Sequence, residues 1–176
     1  MADVTKIREA IIEALPETAN HGEAPDAAAL YIPPSHIKAL RLECNLVVGA
    51  RGVGKSFWTA ALGSSALRAT LGSSVRELDH TDVRIGFSVT ESIDHYPNAE
   101  TFARMLGSGT EAYDIWRAVV VRWLAETLSE ELPGGRWAET VAWMKENPED
   151  ISRLMQRANN AFIEKQRFGL IVFDAL

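Results

Sequence analysis

The octapeptide Gly49-Ala50-Arg51-Gly52-Val53-Gly54-Lys55-Ser56 restricts the folds open to this chain more than any other stretch. It meets the spacing G-x-x-x-x-G-K-[S/T] without a mismatch, and both flanks agree with it. Leu42 to Val48 carries the run Asn45-Leu46-Val47-Val48 and ends at Gly49, the pattern of a buried parallel strand. From Lys55 to about Ala69, Trp58, Ala61, Leu62, Ala66 and Leu67 fall on one side of a helix. A strand, a glycine-rich turn and a helix are therefore expected in succession. Gly49, Gly52 and Gly54 permit backbone angles that a Cβ would forbid. That freedom lets successive N–H groups, those of Arg51 and Val53 included, turn inward around an anion. The helix opening near Lys55 adds the positive end of its dipole at the same place.

This chemistry suits the phosphates of a nucleotide. Lys55 can reach β- and γ-phosphate oxygens, the Ser56 hydroxyl can ligate Mg²⁺, and the Phe57 amide can reach the α-phosphate. Arg51 can face either the phosphates or solvent. A second motif complements the loop. Gly169-Leu170-Ile171-Val172-Phe173-Asp174 reads as a strand with an acid at its carboxyl end. In open α/β sheets ligands collect at that end, and Asp174 is placed to hold Mg²⁺ together with Ser56.

The two motifs resemble the Walker A and Walker B elements of the P-loop NTPases, over Asn45 to Ala69 and Gly169 to Asp174. The resemblance implies an α/β fold of three layers, a parallel sheet between helices with ATP or another nucleoside triphosphate on the strand tips. It gives Lys55 and Asp174 the catalytic roles. Another strand between the motifs, at Val83 to Val89, is similar to the additional-strand branch, which holds the AAA+, STAND, KAP and RecA-like ATPases. The long helical insert looks most like the STAND or KAP types. The chain departs from that pattern after Asp174, where Ala175 stands in place of the acid that polarises water, and no sensor, arginine finger or lid follows. The expectation is the N-terminal part of a larger regulatory or mechanical ATPase, with the remainder of that chain or another protein as partner. A small-molecule phosphotransferase and a non-hydrolysing, nucleotide-dependent interaction module are the alternatives. No Asn-Lys-x-Asp guanine reader and no Leu-Ser-Gly-Gly-Gln transporter signature occurs; Leu132-Pro133-Gly134-Gly135-Arg136 reads as a turn.

Around these motifs the sequence predicts a helical arm and linker over residues 1–40 and a nucleotide-binding unit over 41–176, with a helical insert over 99–166. A helix is expected from Thr5 to Leu15, stopped by Pro16, and a linker from Asn20 to Asp26. Tyr31-Ile32-Pro33-Pro34-Ser35 reads as extended, with Ser35 capping a short helix from His36 to Leu40. The insert reads as helices over Ala99–Leu106 and Thr110–Leu132, another marked by Trp137, Val141 and Met144, and a last one opened by Pro148. The last helix has Ile151, Leu154, Met155, Ala158 and Phe162 as its buried stripe.

Composition closes other routes. The 176 residues suit one domain, and a net charge of −6 gives no overall attraction to nucleic acid. Cys44, the one cysteine, excludes an intrachain disulfide and is expected to be a small buried residue. No apolar stretch approaches the roughly 20 residues of a membrane span, and no signal peptide opens the chain. A cytoplasmic protein without a membrane partner is expected. His21, His36, His80 and His95 show no metal-ligand spacing. Asp79, His80 and Asp82 read as a polar turn, with a place near the γ-phosphate as the alternative. Tyr31 to Pro34 can pack on a nucleobase. The tryptophans are expected in the core, with a partner surface as the alternative.

Overall fold

Two parallel strands carry the site, and their pairing joins segments far apart in the sequence. In the computed structural model, which describes residues 4–14, 27, 30–88 and 95–174, strand β1 spans Thr81–Phe87 and β2 spans Phe168–Phe173. Thr81 pairs with Phe168 and Ile85 with Val172, after which Phe87 pairs with Phe173. The extra residue at Gly86 is a β-bulge, which re-aims the strand end. Val83 and Val172 pack toward a cluster of Leu40, Leu62, Leu71, Val75 and Leu78. Phe87, Ile171 and Phe173 pack toward a second cluster, built by the helices of the insert. Without the bulge, Phe87 would share the face of Val83 and Ile85; with it, Phe87 joins Phe173. Gly86 is required by space: a Cβ there would lie 2.8 Å from Phe173 Cε1 and 2.9 Å from Ile171 Cδ1.

The remaining elements are helical. They are α1 (Val4–Ala14), α2 (Lys55–Gly63), α3 (Ser65–Leu71), α4 (Ala99–Gly107), α5 (Ala112–Thr127), α6 (Trp137–Glu146) and α7 (Pro148–Glu164). Short 3₁₀ turns occupy Ile37–Leu40 and Arg76–His80. The fold is mixed α/β with a small parallel sheet. Asn98 caps α4 by accepting from Thr101 N at 2.9 Å, and Pro148 opens α7 with Glu149 and Asp150 in its first turn. Those choices suit the donor-rich, dipole-positive helix start. Among the described residues, no helix is long and apolar enough to cross a membrane.

Several expectations need correction. The strand expected over Leu42–Val48 is absent: a turn closed by Cys44 N donating to Arg41 O at 3.0 Å takes its first residues, and Cys44 to Ala50 has no regular structure. No ladder partner is engaged there, and an apolar run without one is not a strand. The helix expected over Lys55–Ala69 breaks at Ser64, whose extended backbone ends α2 and whose Oγ accepts from Leu67 N at 3.4 Å to start α3. The helix expected to reach Leu132 stops at Thr127, before Ser129 at φ 56°. Ser35 caps nothing; His36 holds the N-cap position of the 3₁₀ turn. Met155 is exposed, not part of the α7 stripe. Cys44 is half-buried, not buried. The linker Asn20–Asp26 and the residues Leu15, Pro16, His21, Val89 and Ala175 lie outside the described residues, as do the side chains of α1 beyond residues 5–10.

Candidate nucleotide site

The loop from Gly49 to Gly54 enters α2 through two left-handed residues, Gly52 at φ 86° and Gly54 at φ 89°. A Cβ at either would meet nothing within 4 Å, so backbone conformation alone calls for glycine there. Gly54 is the N-cap of α2, and its carbonyl accepts from Trp58 N at 3.1 Å. The first amides of α2 are therefore presented with the loop amides at one place. No acid stands in the first turn of the helix, where a carboxylate would compete with an anion for those donors.

Lys55 lies across this loop. Its Nζ donates to Gly49 O at 2.6 Å and to Ala50 O at 3.1 Å. The ammonium thus holds the loop to the start of α2 through carbonyl oxygens. The Ser56 hydroxyl, one residue on, is half-buried.

Asp174 follows β2 directly. Its backbone N donates to Phe87 O at 2.9 Å, extending the pairing by one step beyond the strands. The residue is 6% exposed, and its Oδ2 is the one fully buried side-chain oxygen or nitrogen, among the described residues, with no hydrogen-bond partner. A buried polar atom in that condition costs about 1–3 kcal/mol, so its retention calls for a reason.

One cavity of about 560 Å³ joins the two motifs. Lys55 and Val53 line it from the loop, Asp174 and residues 170–173 from β2, and Leu42 and residues 44–48 from the segment before the loop. Lys55 and Asp174, 119 positions apart in sequence, therefore face one space. Gly49, Arg51, Gly52, Gly54, Ser56 and Phe57 do not line it. Arg51 is exposed.

Four further lining residues were not singled out from sequence as site residues. Thr59 is buried, four residues after Lys55 on the same helix face, and its Oγ1 donates to Lys55 O at 3.3 Å. Helical spacing from Lys55 was signal enough to find it. Trp58 Nε1 donates to His36 Nδ1 at 3.0 Å, and both rings, with Asn45, reach the cavity wall. No local pattern connects His36 to Trp58. Tyr31 is exposed and does not line the cavity.

The Asp79, His80 and Asp82 group sits elsewhere. Asp82 accepts from Arg167 Nη2 at 2.6 Å and Nε at 2.9 Å, at the amino end of β1. With a rise of roughly 3.3 Å per residue, that end is about 17 Å from the carboxyl tip. The group is a polar turn tied to the start of β2, away from Asp174. Trp137 is buried, and Trp116 and Trp143 pack half-buried against the helical cluster. His95 contacts Arg84, which pairs with Glu126 at 2.6 Å.

No family model matches the chain, nor does any curated protein or solved structure.

Proposed function

We propose that this chain binds a nucleoside triphosphate with Mg²⁺ at the loop Gly49–Ser56 and Asp174, as P-loop NTPases do. The observation that carries the reading is the meeting of Lys55 and Asp174 on one cavity. The loop residues fit phosphate: left-handed Gly52 and Gly54 and the acid-free start of α2 gather N–H donors. Asp174 fits the metal, since its Oδ2 is buried without a partner. Among the described residues no group of three or more His, Cys, Asp or Glu is built to hold a metal. Mg²⁺ binds through one or two protein oxygens, with water and substrate phosphate completing its shell. Ser56 and Asp174 would supply those oxygens. The ion would neutralise phosphate charge there, while Lys55 and the loop amides orient the phosphates and Phe57 N reaches the α-phosphate.

On this reading β1 and β2 belong to a three-layer sheet, with α2 on one face and α5 on the other. The protein would be an ATPase domain of STAND or KAP type, and the nucleotide ATP. Among the described residues, Asp174 is the only carboxylate on the cavity wall. Ala175 follows Asp174 in the sequence, where an acid would polarise water, which favours slow turnover and a nucleotide-dependent binding role. A phosphotransferase would instead need an acceptor site next to Lys55.

Equilibrium binding of labelled ATP with and without Mg²⁺ tests the reading, with Lys55→Ala as the comparison. Loss of the ammonium removes a charge-assisted bond to phosphate of about 1.5–3 kcal/mol, a roughly 10–150-fold fall in affinity. Wild-type affinity in Lys55→Ala would sink the proposal. Turnover assays with and without small acceptors then separate hydrolysis, phosphoryl transfer and binding alone.

A further inference from the structure

Helix α2 starts without a side-chain cap, because glycine holds its N-cap position at Gly54. Ser, Thr, Asp or Asn would ordinarily supply that bond. Packing does not replace it. Ser56 is half-buried and Phe57 exposed, and full burial begins only at Thr59. Two side chains of the first turn reach out of the helix. Lys55 Nζ donates to Gly49 O and Ala50 O, within the loop itself. Trp58 Nε1 donates to His36 Nδ1 at 3.0 Å, 22 positions back in the chain. Among the described residues, the second is the one side-chain hydrogen bond that ties this turn to a part of the protein outside the motif.

His36 is suited to hold it. Its backbone is fixed on both sides: His36 N donates to Pro33 O at 2.9 Å, and Ala39 N donates to His36 O at 2.9 Å. Pro33 and Pro34 stiffen the chain that leads in. Leu40, at the end of the same 3₁₀ turn, is buried in one cluster with Leu62 of α2. An indole N–H can only donate, so Nδ1 accepts and the neutral imidazole carries its proton on Nε2. The two rings meet edge to face, with centroids 5.7 Å apart and planes at 83°. Trp58 in turn stands edge-on to Phe57, at 5.0 Å and 88°, and its amide closes the first bond of α2 onto Gly54 O.

We infer that His36 is a positioning residue for the phosphate site: by accepting from Trp58 it fixes the turn on which Lys55 and Ser56 stand. This rests on the nucleotide reading above. A site made of backbone amides depends on where those amides point, and a turn free to tilt spreads them away from one phosphate position. Lys55 has three N–H donors and spends two on the loop. The third remains for a phosphate oxygen, and its direction follows the turn. His36 and Trp58 also line the cavity with Lys55, so direct contact with the ligand is the rival role.

Equilibrium affinities for MgATP and for magnesium tripolyphosphate, which has the phosphates without base or ribose, separate the two. His36→Leu and Trp58→Phe each delete one partner of the bond. Both ligands should weaken by the same factor in each, roughly 3–10-fold, the worth of one neutral hydrogen bond. His36→Asn keeps an acceptor oxygen near the Nδ1 position, so it should restore both affinities. Combining His36→Leu with Trp58→Phe should cost no more than either alone, since the bond is lost once. Weaker MgATP binding with unchanged tripolyphosphate binding makes His36 a contact to base or ribose and overturns the positioning role. A lowered melting temperature with wild-type affinity for both ligands makes the bond a structural tie, and overturns it too. So does an affinity in His36→Asn as low as in Trp58→Phe, a comparison that stands even where His36→Leu does not fold. Any of these leaves the nucleotide reading intact; wild-type protein that retains neither ligand ends both.

Discussion

The Asp174 amide donates to the Phe87 carbonyl at 2.9 Å, one step past the last strand pair. That bond fixes the backbone of Asp174 to the tip of β1 while its Oδ2 stays buried without a partner. An acid is thus held rigidly in a place where the protein itself gives it little. Positions of this kind are where function is set against stability.

Asp174→Asn should expose that opposition. The amide keeps the shape and carries no charge, so it is cheaper to bury at that partnerless position than a carboxylate. For a chain of this size the melting temperature should rise by roughly 2–4 °C per kcal/mol. The same change removes the negative charge and one of the two oxygens proposed for Mg²⁺, so Mg²⁺ should strengthen ATP binding much less. Thermal denaturation with and without MgATP checks both halves. A variant less stable than wild type that still responds to Mg²⁺ would remove Asp174 from the site.

Gly54→Ala and Gly52→Ala isolate the loop. Each places a Cβ in the left-handed region, at a cost of about 1–2 kcal/mol, with no clash to add. The loop is largely exposed, so most of that strain should appear as lost affinity, roughly 5–30-fold for ATP. Gly135→Ala is the control, since Gly135 is exposed, lies outside the positive-φ region and has open space at its Cβ. Titration calorimetry on the three variants should separate them cleanly; equal affinities across all three would deny the loop its role.

Gly86→Ala should act on the fold instead. Its Cβ would meet the Phe173 ring at 2.8 Å and Ile171 at 2.9 Å, inside a packed face. Overpacking of this kind costs about 1–3 kcal/mol, a fall in melting temperature of roughly 2–12 °C. Urea unfolding with an unchanged slope would assign the loss to the native state.

What the sequence made legible follows the range of the physics involved. The Gly52 and Gly54 turn, the start of α2 at Lys55, the helix expected over Ala99–Leu106 and the Pro148 helix start all depend on neighbours within a few residues. β2 was readable from the run Leu170 to Phe173 with its closing acid. The segment Leu42–Val48 misled because a strand is defined by a partner, and composition cannot say whether the partner's edge is engaged. The break at Ser64 and the stop at Thr127 lie where a local cap or a left-handed residue competes with helical periodicity. The bulge at Gly86, the His36–Trp58 bond and Thr59 on the cavity wall depend on long-range packing. Lys55 and Asp174 were each visible as residues, but their common cavity required the fold.

Trp116 connects the helical insert to the site. Its ring packs 5.4 Å from Phe87, 5.5 Å from Phe173 and 4.8 Å from Phe102, centroid to centroid. It therefore clamps both strand tips, next to the residue whose amide and carboxylate matter most. Trp116→Ala should cost about 3–5 kcal/mol through lost burial and the cavity left behind, and it should also weaken MgATP binding by loosening Phe173 and Asp174. Trp116→Phe keeps an aromatic ring at that position, so it should recover most of the affinity while restoring only part of the stability. Paired measurements of melting temperature and MgATP affinity decide the point. If both variants lose stability and neither loses affinity, the insert is packed against the strand tips without positioning Asp174.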